Sequence, residues 1–427
     1  MNKNNKQLLN HSLAGIQHVF VANVWLDPIY VAAAAGLSLN LSTNLVNTIF
    51  IVSGLVTLTQ VTKLVKLPII QGPSAAFDAL MINAGKVGQL ASASGSILIS
   101  ALIVLLLSVT GLINHLIKLL TPAITGTIIF LVGISLAGFT LSEFLGGYPG
   151  DQGFSSPQNL MLSFTTTIIV ILLSIFGKGV GKRFAFLIAL VVGDALAVLL
   201  GVTDYSVLAD KAWFGVPHLL PYGALKFNGV IFLTFLIAYL VAVVESLGVY
   251  QAVEATLKEK ISPKRIQNGL IGESVGSMIS SAFGGFPTTA FAQNVGILNL
   301  TGNSSRIPIM IAAGLFIFMG FIPKMGAFLA LTPDPVIGGI FLPAAATLIM
   351  TGFNILKKVP ENSANTMIIG LSIILAIALP NYATGWSGLT GELLSNSILI
   401  GALSAIVLQV TLVNLPRIMK DIRGHHD

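Results

Sequence analysis

The chain is dominated by long apolar segments separated by short polar stretches. Apolar runs that could form membrane spans lie near residues 13–36, 43–62, 74–85, 95–117, 121–142, 159–177, 184–202, 228–251, 266–283, 288–299, 307–322, 334–355, 365–380 and 394–415. A helix needs about 20 residues to cross the hydrocarbon core, so the third and tenth of these segments cannot cross as helix alone. The pattern predicts an all-α polytopic membrane protein of fourteen spans, two of them interrupted.

Composition supports this fold class. Hydrophobic residues make up 54% of the 427 positions and charged residues only 9%, with a mean hydropathy of +0.90. Soluble proteins carry roughly a quarter charged residues. The sequence contains no cysteine, which excludes a disulfide framework and thiolate chemistry. The first ten residues are polar and no small-residue cleavage site follows them, so we expect a retained first span rather than a signal peptide.

The basic residues indicate how the chain is oriented. If both termini are cytoplasmic, eighteen of the 22 lysine and arginine residues lie on the cytoplasmic side and four on the other. This is a strong positive-inside bias. We therefore expect a multi-pass protein of the cell membrane with both termini cytoplasmic. The net charge of +6 is explained by this orientation and not by nucleic-acid binding.

Two pairs of similar segments indicate an internal repeat. Residues 72–77 (GPSAAF) align with 286–291 (FPTTAF), and residues 120–131 align with 331–342, at offsets of 214 and 211. Seven spans per half is an odd number, so the second half would cross in the opposite sense and give an inverted repeat of seven plus seven spans. Chance similarity between apolar segments is the alternative.

A proline stands just before each of the two interrupted spans: Pro73, which follows Gly72, and Pro287, which follows Phe286. Proline favours an extended residue before it and suits the first turn of a helix. Each short span is therefore predicted to be a short strand followed by a half-helix, with Ser74, Thr288 and Thr289 as possible caps of the freed amides. Two such half-helices would direct their amides at one central point. A proline kink inside an ordinary span is the alternative.

Five carboxyl groups lie within the predicted spans: Asp27, Asp78, Asp194, Glu245 and Glu273. Ionisable groups in the membrane are costly and usually functional. Glu245 is the strongest candidate, because small residues surround it at helical spacing and allow close approach of another element. Glu273 follows two glycines, and is either a proton relay or a partner of a broken-helix amide. Asp27, Asp78 and Asp194 also have structural interpretations.

Gln293 supplies the second half of a candidate binding site. It lies four residues after Thr289, on the same face of a helix, and its amide offers both donors and acceptors. Together with the acceptors of Glu245 it suits a flat ligand with adjacent N–H and C=O groups, and Phe77 offers a stacking face. An oxidised purine or a pyrimidine fits this description. Asn294 points away from Gln293 and is expected to brace the site.

Several motifs resemble the nucleobase–ascorbate transporter family, also termed the second nucleobase–cation symporter family. QNVGILNLTG at 293–302 is similar to its signature, and QHV at 17–19, QGPSAAF at 71–77, ESLG at 245–248 and FAQN at 291–294 match its pattern. The resemblance covers essentially the whole chain. It implies a core domain of residues 13–120 and 228–330 and a gate domain of residues 121–202 and 331–416.

The resemblance also implies a binding site and a mode of coupling. It places the substrate between the strands of spans three and ten, and it implies a homodimeric, proton-coupled importer. The residues that match the family's binding positions are Glu245 and Gln293, with Phe77 and the backbone near Ala76 and Ala290 as support. From the residue pattern above, we add Thr289 and Asn294 to the expected binding site. Glutamine at position 293 resembles the xanthine and uric acid branch, whereas the uracil branch generally has glutamate.

Some positions depart from the family pattern. Val249 stands where many relatives carry aspartate or histidine, and Ala76 replaces a polar residue. Asp27 and Asp78 look unusual for the family. The resemblance implies a proton as coupling ion, and we expect Glu273 and Glu245 to carry it with His18 as helper. The departures, Val249 above all, keep sodium as an alternative.

The sequence as a whole predicts a secondary transporter that imports xanthine or uric acid with a proton. No further cofactor is expected. A uracil transporter on the same fold is the nearest alternative, and an anion transporter or channel of related architecture is the next. A membrane enzyme is disfavoured, because the sequence has no metal-ligand cluster, nucleophile–base pair or phosphate-binding loop.

Overall fold

The structure is a computed structural model that describes residues 3–113, 120–291, 294–295, 298, 304–383, 386, 388–417 and 419. It is mainly helical. The elements of the first half are α1 (Lys3–Ala22), α2 (Leu26–Ala34), α3 (Leu39–Thr62), β1 (Gln71–Pro73), α4 (Asp78–Lys86), α5 (Leu90–Thr110), α6 (Pro122–Leu145), α7 (Pro157–Ile175), α8 (Gly179–Arg183) and α9 (Ala185–Leu199).

The second half repeats the mixture of long helices and one short strand. Its elements are α10 (Gly229–Leu257), α11 (Pro263–Ala282), β2 (Thr288–Ala290), α12 (Ile307–Gly320), α13 (Pro323–Ala330), α14 (Asp334–Leu356), α15 (Ser363–Tyr382), α16 (Gly388–Ser395) and α17 (Ser397–Gln409). Short 3₁₀ turns lie at Ala75–Phe77 and Tyr205–Leu208, and a π-helical turn at Val410–Asn414 continues α17.

Helix boundaries follow local chemistry. Pro157 opens α7 and Pro263 opens α11, where a missing N–H has no cost. The serine before each proline caps its helix, as Ser156 accepts from the Asn159 N–H and Ser262 from the Arg265 N–H. The first predicted span is broken between α1 and α2, at Asn23, which has a positive φ of 52°. Asparagine tolerates this left-handed conformation better than most residues.

Eight helices in the described part of the chain are long and apolar enough to cross a membrane. The number rises to nine if α12 and α13, which meet at a bend of 84°, count as one span. The prediction of a polytopic helical membrane protein is confirmed. The predicted count of fourteen exceeds this number because several predicted spans are short, broken or polar. The seventh is the 15-residue α9, and the ninth is α11, which carries charged residues together with glycine and serine.

The helices pack in two groups. α6 lies along α14, α14 also packs on α7, and α17 packs on α15 and α6. In the other group α3 packs on α12, α12 on α1, and both α10 and α11 on α5. Glycine allows the closest approach in the first group, since a Cβ at Gly338 would collide with backbone atoms of Phe144, and one at Gly352 with those of Phe130.

The two interrupted spans meet as a two-stranded antiparallel sheet. The register pairs Gln71 with Ala290, Gly72 with Thr289 and Pro73 with Thr288. The pairing extends at both ends, because the Ser74 N–H donates to the Pro287 carbonyl and the Phe291 N–H to the Ile70 carbonyl, each at 2.9 Å. Two segments more than 200 residues apart in sequence thus form one short ribbon among the helices, which we call the strand pair.

Candidate functional site

Hydroxyl groups of three helices hold the strand pair. The Ala290 N–H donates to Ser246 Oγ at 3.1 Å, and the Thr288 N–H donates to Ser277 Oγ at 3.2 Å. On the other strand, the Gln71 N–H donates to Thr57 Oγ1 at 2.8 Å. Unpaired backbone amides are very costly at membrane depth, so these bonds explain how a non-helical segment is tolerated there.

The expected caps at Ser74 and Thr288 are wrong within the described part of the chain. Ser74 makes no side-chain cap, and its hydroxyl has no partner in the described part of the chain. The Thr288 hydroxyl is likewise without a partner among the described residues. After β1, backbone carbonyls already accept from the amides that Ser74 was expected to cap, since the Phe77 N–H donates to the Ser74 carbonyl and the Asp78 N–H to the Ala75 carbonyl. Ser74 instead contributes its backbone N–H to Pro287.

Close packing fixes the relative position of the two strands. Gly72 lies directly beneath the ring of Phe291, and a Cβ added at Gly72 would overlap that ring. Gly276 on α11 lies against Val56 of α3 in the same way. The strand pair therefore has little freedom to shift against its supporting helices.

Glu245 lies on α10 next to Ser246, the residue that binds β2. Its side chain is exposed although it lies deep within the protein. The exposed positions that follow on the same helix are Gly248, Gln251, Ala252 and Ala255, whereas Val249, Tyr250 and Val253 are buried. We call these five exposed residues the Glu245 face. It is small and polar rather than bulky and apolar, which is typical of a surface that lines water and not lipid. It runs from the strand pair to the end of α10 at Lys258.

Glu273 on α11 contacts the strand pair through the side chain of Gln71. Its Oε1 accepts hydrogen bonds from Gln71 Nε2 at 3.0 Å and from the Tyr250 hydroxyl at 2.6 Å. The side chain is 3% exposed. Glu273 therefore links α11, β1 and α10, and it lies within electrostatic range of Glu245. Tyr250 and Gln71 were not singled out from the sequence as partners of an acid.

The other expected binding residues cluster around the strand pair. Ala76, Thr289 and Ala290 are buried there. Phe77 follows β1 and is fully buried, with its ring centroid 5.8 Å from that of Phe235 and 6.0 Å from that of Tyr239. Its ring therefore packs on α10 in this conformation.

His18 and Asn294 form a contact between α1 and the segment after β2. Asn294 Nδ2 lies 3.1 Å from His18 Nδ1 and 3.2 Å from the His18 carbonyl oxygen. An amide NH₂ group only donates, so Nδ1 accepts and the ring proton resides on Nε2. Both side chains are buried. Gln293, the second expected substrate-binding residue, lies outside the described residues.

A cleft of about 580 Å³ lies near the start of α10, at the opposite end from the Glu245 face. We call it the Asn83 cleft. Its lining includes Asn83, Gln89, Ser135, Phe139, Thr234, Phe235 and Asn396. Along α10, Phe235 and Tyr239 lie between this cleft and Glu245. About 15 Å of helix separates Phe235 from Glu245. The packed rings of Phe77, Phe235 and Tyr239 thus lie between the two openings.

In the described ranges, there is no group of three or more histidine, aspartate or glutamate side chains placed to hold a metal ion. The arrangement offers instead an accessible carboxylate, a fixed pair of strands with adjacent polar groups, and aromatic rings. These features suit reversible binding of a small polar, planar molecule.

Comparisons with known proteins support transport. Residues 9–384 match the Permease family Xan_ur_permease. The chain is 31% identical to the uric acid permease PucK of Bacillus subtilis (strain 168), covering 95% of this chain and 96% of that protein. It is 28% identical to the xanthine permease of the same organism, covering 93% and 92%. The transmembrane domain of a cyanobacterium bicarbonate transporter, BicA, has a similar fold, with a TM-score of 0.63 at 16% identity over 93% of this chain and 97% of that one.

Proposed function

The chain belongs to the Permease family Xan_ur_permease, and we propose that it is a secondary active transporter that imports an oxidised purine, xanthine or uric acid, by proton symport. The names of the relatives support the substrate class, since one is a uric acid permease and another a xanthine permease. The observation that carries the proposal is the position of Glu245, which is exposed on a small, polar helix face beside the strand pair.

The proposed architecture has fourteen spans in two inverted sets of seven. The antiparallel strand pair supports it, because inverted repeats bring equivalent segments together in opposite directions. Residues 13–120 and 228–330 would form the core domain, and residues 121–202 and 331–416 the gate domain. We propose a homodimer in the cell membrane with both termini cytoplasmic.

Substrate would bind between the strand pair and α10. Glu245 accepts hydrogen bonds from ring N–H groups, and Gln293 pairs with an adjacent N–H and C=O edge. Backbone groups near Ala76 and Ala290 complete the edge, with Thr289 and Asn294 as braces. Phe77 forms the wall of the pocket that packs on the ring face. Glu245, Glu273 and His18 participate in proton coupling.

The two openings support alternating access as the mode of transport. The Glu245 face runs to the end of α10 that carries Lys258 and Lys260, which is cytoplasmic in the proposed orientation. The Asn83 cleft opens at the other end, and the rings of Phe77, Phe235 and Tyr239 close the way between them. The conformation is therefore the inward-open one, and movement of the core against the gate would open the Asn83 cleft to the substrate site.

Two other functions use the same fold. A uracil transporter differs in the groups that pair with the base, and Gln293→Glu is expected to shift preference toward uracil. The likeness to a bicarbonate transporter concerns the fold alone. An accessible Glu245 disfavours a small inorganic anion as substrate, because an ionised carboxylate repels it and such an anion lacks the ring N–H groups of a purine that could donate to Glu245.

Uptake by the purified protein in liposomes tests the proposal. Radiolabelled xanthine and uric acid should accumulate in a saturable manner when the outside is more acidic, and a proton uncoupler should abolish accumulation. An excess of unlabelled xanthine or urate should compete more strongly than uracil. Uptake of uracil with no competition by purines would support the first alternative, and a non-saturating anion current without purine uptake would support the second.

A further inference from the structure

Asp78 is a buried acid without a visible partner. It is 0% exposed, and neither carboxyl oxygen has a hydrogen-bond partner within the described ranges of the chain. The nearby Ser74 hydroxyl, 1% exposed, is in the same situation. A buried carboxylate without a partner strongly destabilises the folded protein, because it has lost its hydration and gained no compensating bond. Its charge must therefore be neutralised in another way.

The groups that face Asp78 are also acidic. Asp27 on α2 and Glu245 on α10 lie within electrostatic range of it, and Asp27 is in range of Glu245. Tyr30 of α2 also faces Asp78. Like charges at close range cannot all be ionised in a low-dielectric environment.

Elements packed against α2 and α4 supply no compensating cation. α3 and α5 carry no charged residue. Lys86 lies on α4 itself but eight residues, or about 12 Å, from Asp78, and it donates a hydrogen bond to Tyr148. The remaining charged groups on the packed helices α6, α13 and α14 lie near their helix ends: Glu143, Lys324 and Asp334.

Asp27 and Asp78 occupy equivalent local positions. Each lies in the first turn of a short helix, α2 or α4, and these two helices contact each other. A helix N-terminus stabilises one negative charge. Asp27 is partly exposed whereas Asp78 is not, so a proton from water reaches Asp27 first and Asp78 behind it.

We propose that Asp27 and Asp78 carry one proton between them and form a further proton site of this transporter, in addition to the coupling groups Glu245, Glu273 and His18 proposed above. The proposal rests on the proposed function of purine import. A hydronium ion transfers its proton to the carboxylate pair, where an O–H bond forms and a water molecule is released. The reverse transfer frees the proton on the other side. A metal ion fits less well, because the described residues include no group of three acids placed to bind one.

The test separates proton coupling from substrate movement in proteoliposomes. Asp78→Asn and Asp27→Asn should each keep the exchange of labelled for unlabelled xanthine within about twofold of the parent, because exchange needs no net proton movement. A gradient of one pH unit drives about tenfold accumulation at one proton per substrate, and this accumulation should be lost in both variants. The acidification of the lumen that accompanies xanthine uptake, followed with a trapped dye, should be lost as well.

Asp194→Asn is the matched control, since Asp194 is a buried acid on α9 that accepts a hydrogen bond from Thr332. It should keep both exchange and accumulation. Retained exchange shows that a variant is folded; where Asp78→Asn loses it, Asp27→Asn decides. Accumulation and lumen acidification at parental levels in both variants would overturn the proposal. Accumulation of xanthine driven by a sodium gradient alone would also overturn the proposal, because the coupling ion would then be sodium. If the parent protein exchanges no purine, the proposed function itself has failed.

Discussion

At the scale of single residues, Glu245 combines accessibility with an otherwise buried setting. Its neighbour Ser246 binds β2, so the position of the carboxylate relative to the strand pair is fixed by one hydrogen bond of 3.1 Å. The residues that follow on the exposed face are small, which leaves space for a planar molecule beside the carboxylate. Glu273, in contrast, is already occupied by Gln71 and Tyr250.

Glu245→Gln is expected to weaken purine binding strongly while leaving the protein folded. An amide cannot replace both carboxylate acceptors, and an unsatisfied group in the complex costs about 1–3 kcal/mol, which corresponds to about a 5- to 150-fold loss of affinity. Binding of xanthine and urate to purified protein by calorimetry measures the effect. Glu254→Gln, the same change at the far end of α10, is the control and should bind like the parent. Equal affinities of parent and Glu245→Gln would remove Glu245 from the site.

Sequence reasoning identified several single residues but not their partners. Glu245 and Glu273 could be selected because ionisable groups are rare and costly in apolar segments. The strand residues could be selected because a proline favours an extended residue before it and a helix start after it. The hydroxyls of Thr57, Ser246 and Ser277 gave no such signal, because serine and threonine are common in membrane helices and bind their own backbone. Only the tertiary structure shows which of them faces a strand amide.

At the scale of elements, the strand pair is the feature that positions the site. The sequence predicted two extended segments from their prolines and their short length, and each contains a three-residue strand. Their register could not be derived from the sequence, since it depends on the placement of Gly72 beneath the ring of Phe291. The break between α1 and α2 was also not predicted, because Asn23 lies within an otherwise continuous apolar run.

Gly72→Ala is expected to impair transport by overpacking the strand pair. The added Cβ overlaps the ring of Phe291, and such overpacking typically costs about 1–3 kcal/mol. We expect a lower thermal midpoint of the detergent-solubilised protein and reduced xanthine uptake. Gly138→Ala is the control, as a Cβ there meets no atom within 4 Å.

A second change tests whether the cause is steric. Phe291→Leu in the Gly72→Ala background removes the ring and should recover part of the lost stability. A double variant that is no more stable than Gly72→Ala would contradict this explanation.

Lys86 connects elements that the proposed alternating access has to separate. Its Nζ donates to the Tyr148 hydroxyl at 2.9 Å and lies 4.7 Å from the ring centroid of Phe139, a residue that lines the Asn83 cleft. Lys86 ends α4, whereas Phe139 and Tyr148 belong to α6 and the loop after it. The lysine therefore ties the proposed core to the proposed gate while the Asn83 cleft is closed off from Glu245.

Lys86→Met is expected to increase the outward-open population. Loss of an exposed cation–π contact of about 0.5–1 kcal/mol shifts the equilibrium about two- to fivefold. The measurement is the rate at which an impermeant maleimide labels a cysteine introduced at Thr234, which lines the Asn83 cleft but is only 1% exposed. The natural chain has no cysteine that would interfere. Lys211→Met, which removes a lysine hydrogen-bonded to Asn40, is the control. An unchanged labelling rate in Lys86→Met would show that this contact does not hold the conformation.

At the scale of the whole molecule, the fold class was predictable and the detailed span count was not. High hydropathy and a scarcity of charge are sufficient to indicate a polytopic helical membrane protein. Length and hydropathy identify eight or nine candidate spans in the described part of the chain, fewer than the fourteen predicted, because α9 is short and α11 is polar. The two openings at opposite ends of α10 could not be inferred from the sequence, since they depend on how the two helix groups pack.

The most direct test of the account is substrate protection at the Glu245 face. Gly248 lies one turn from Glu245, is exposed, and has no atom within 4 Å of an added Cβ, so Gly248→Cys is expected to fold and to be the sole cysteine. Gly229→Cys, equally open and about 29 Å away at the other end of α10, is the control. Saturating xanthine or urate should slow the maleimide labelling of Gly248→Cys at least several-fold, whereas the labelling rate of Gly229→Cys should not change. Equal labelling at 248 with and without purine would contradict the assignment of this face as the substrate site.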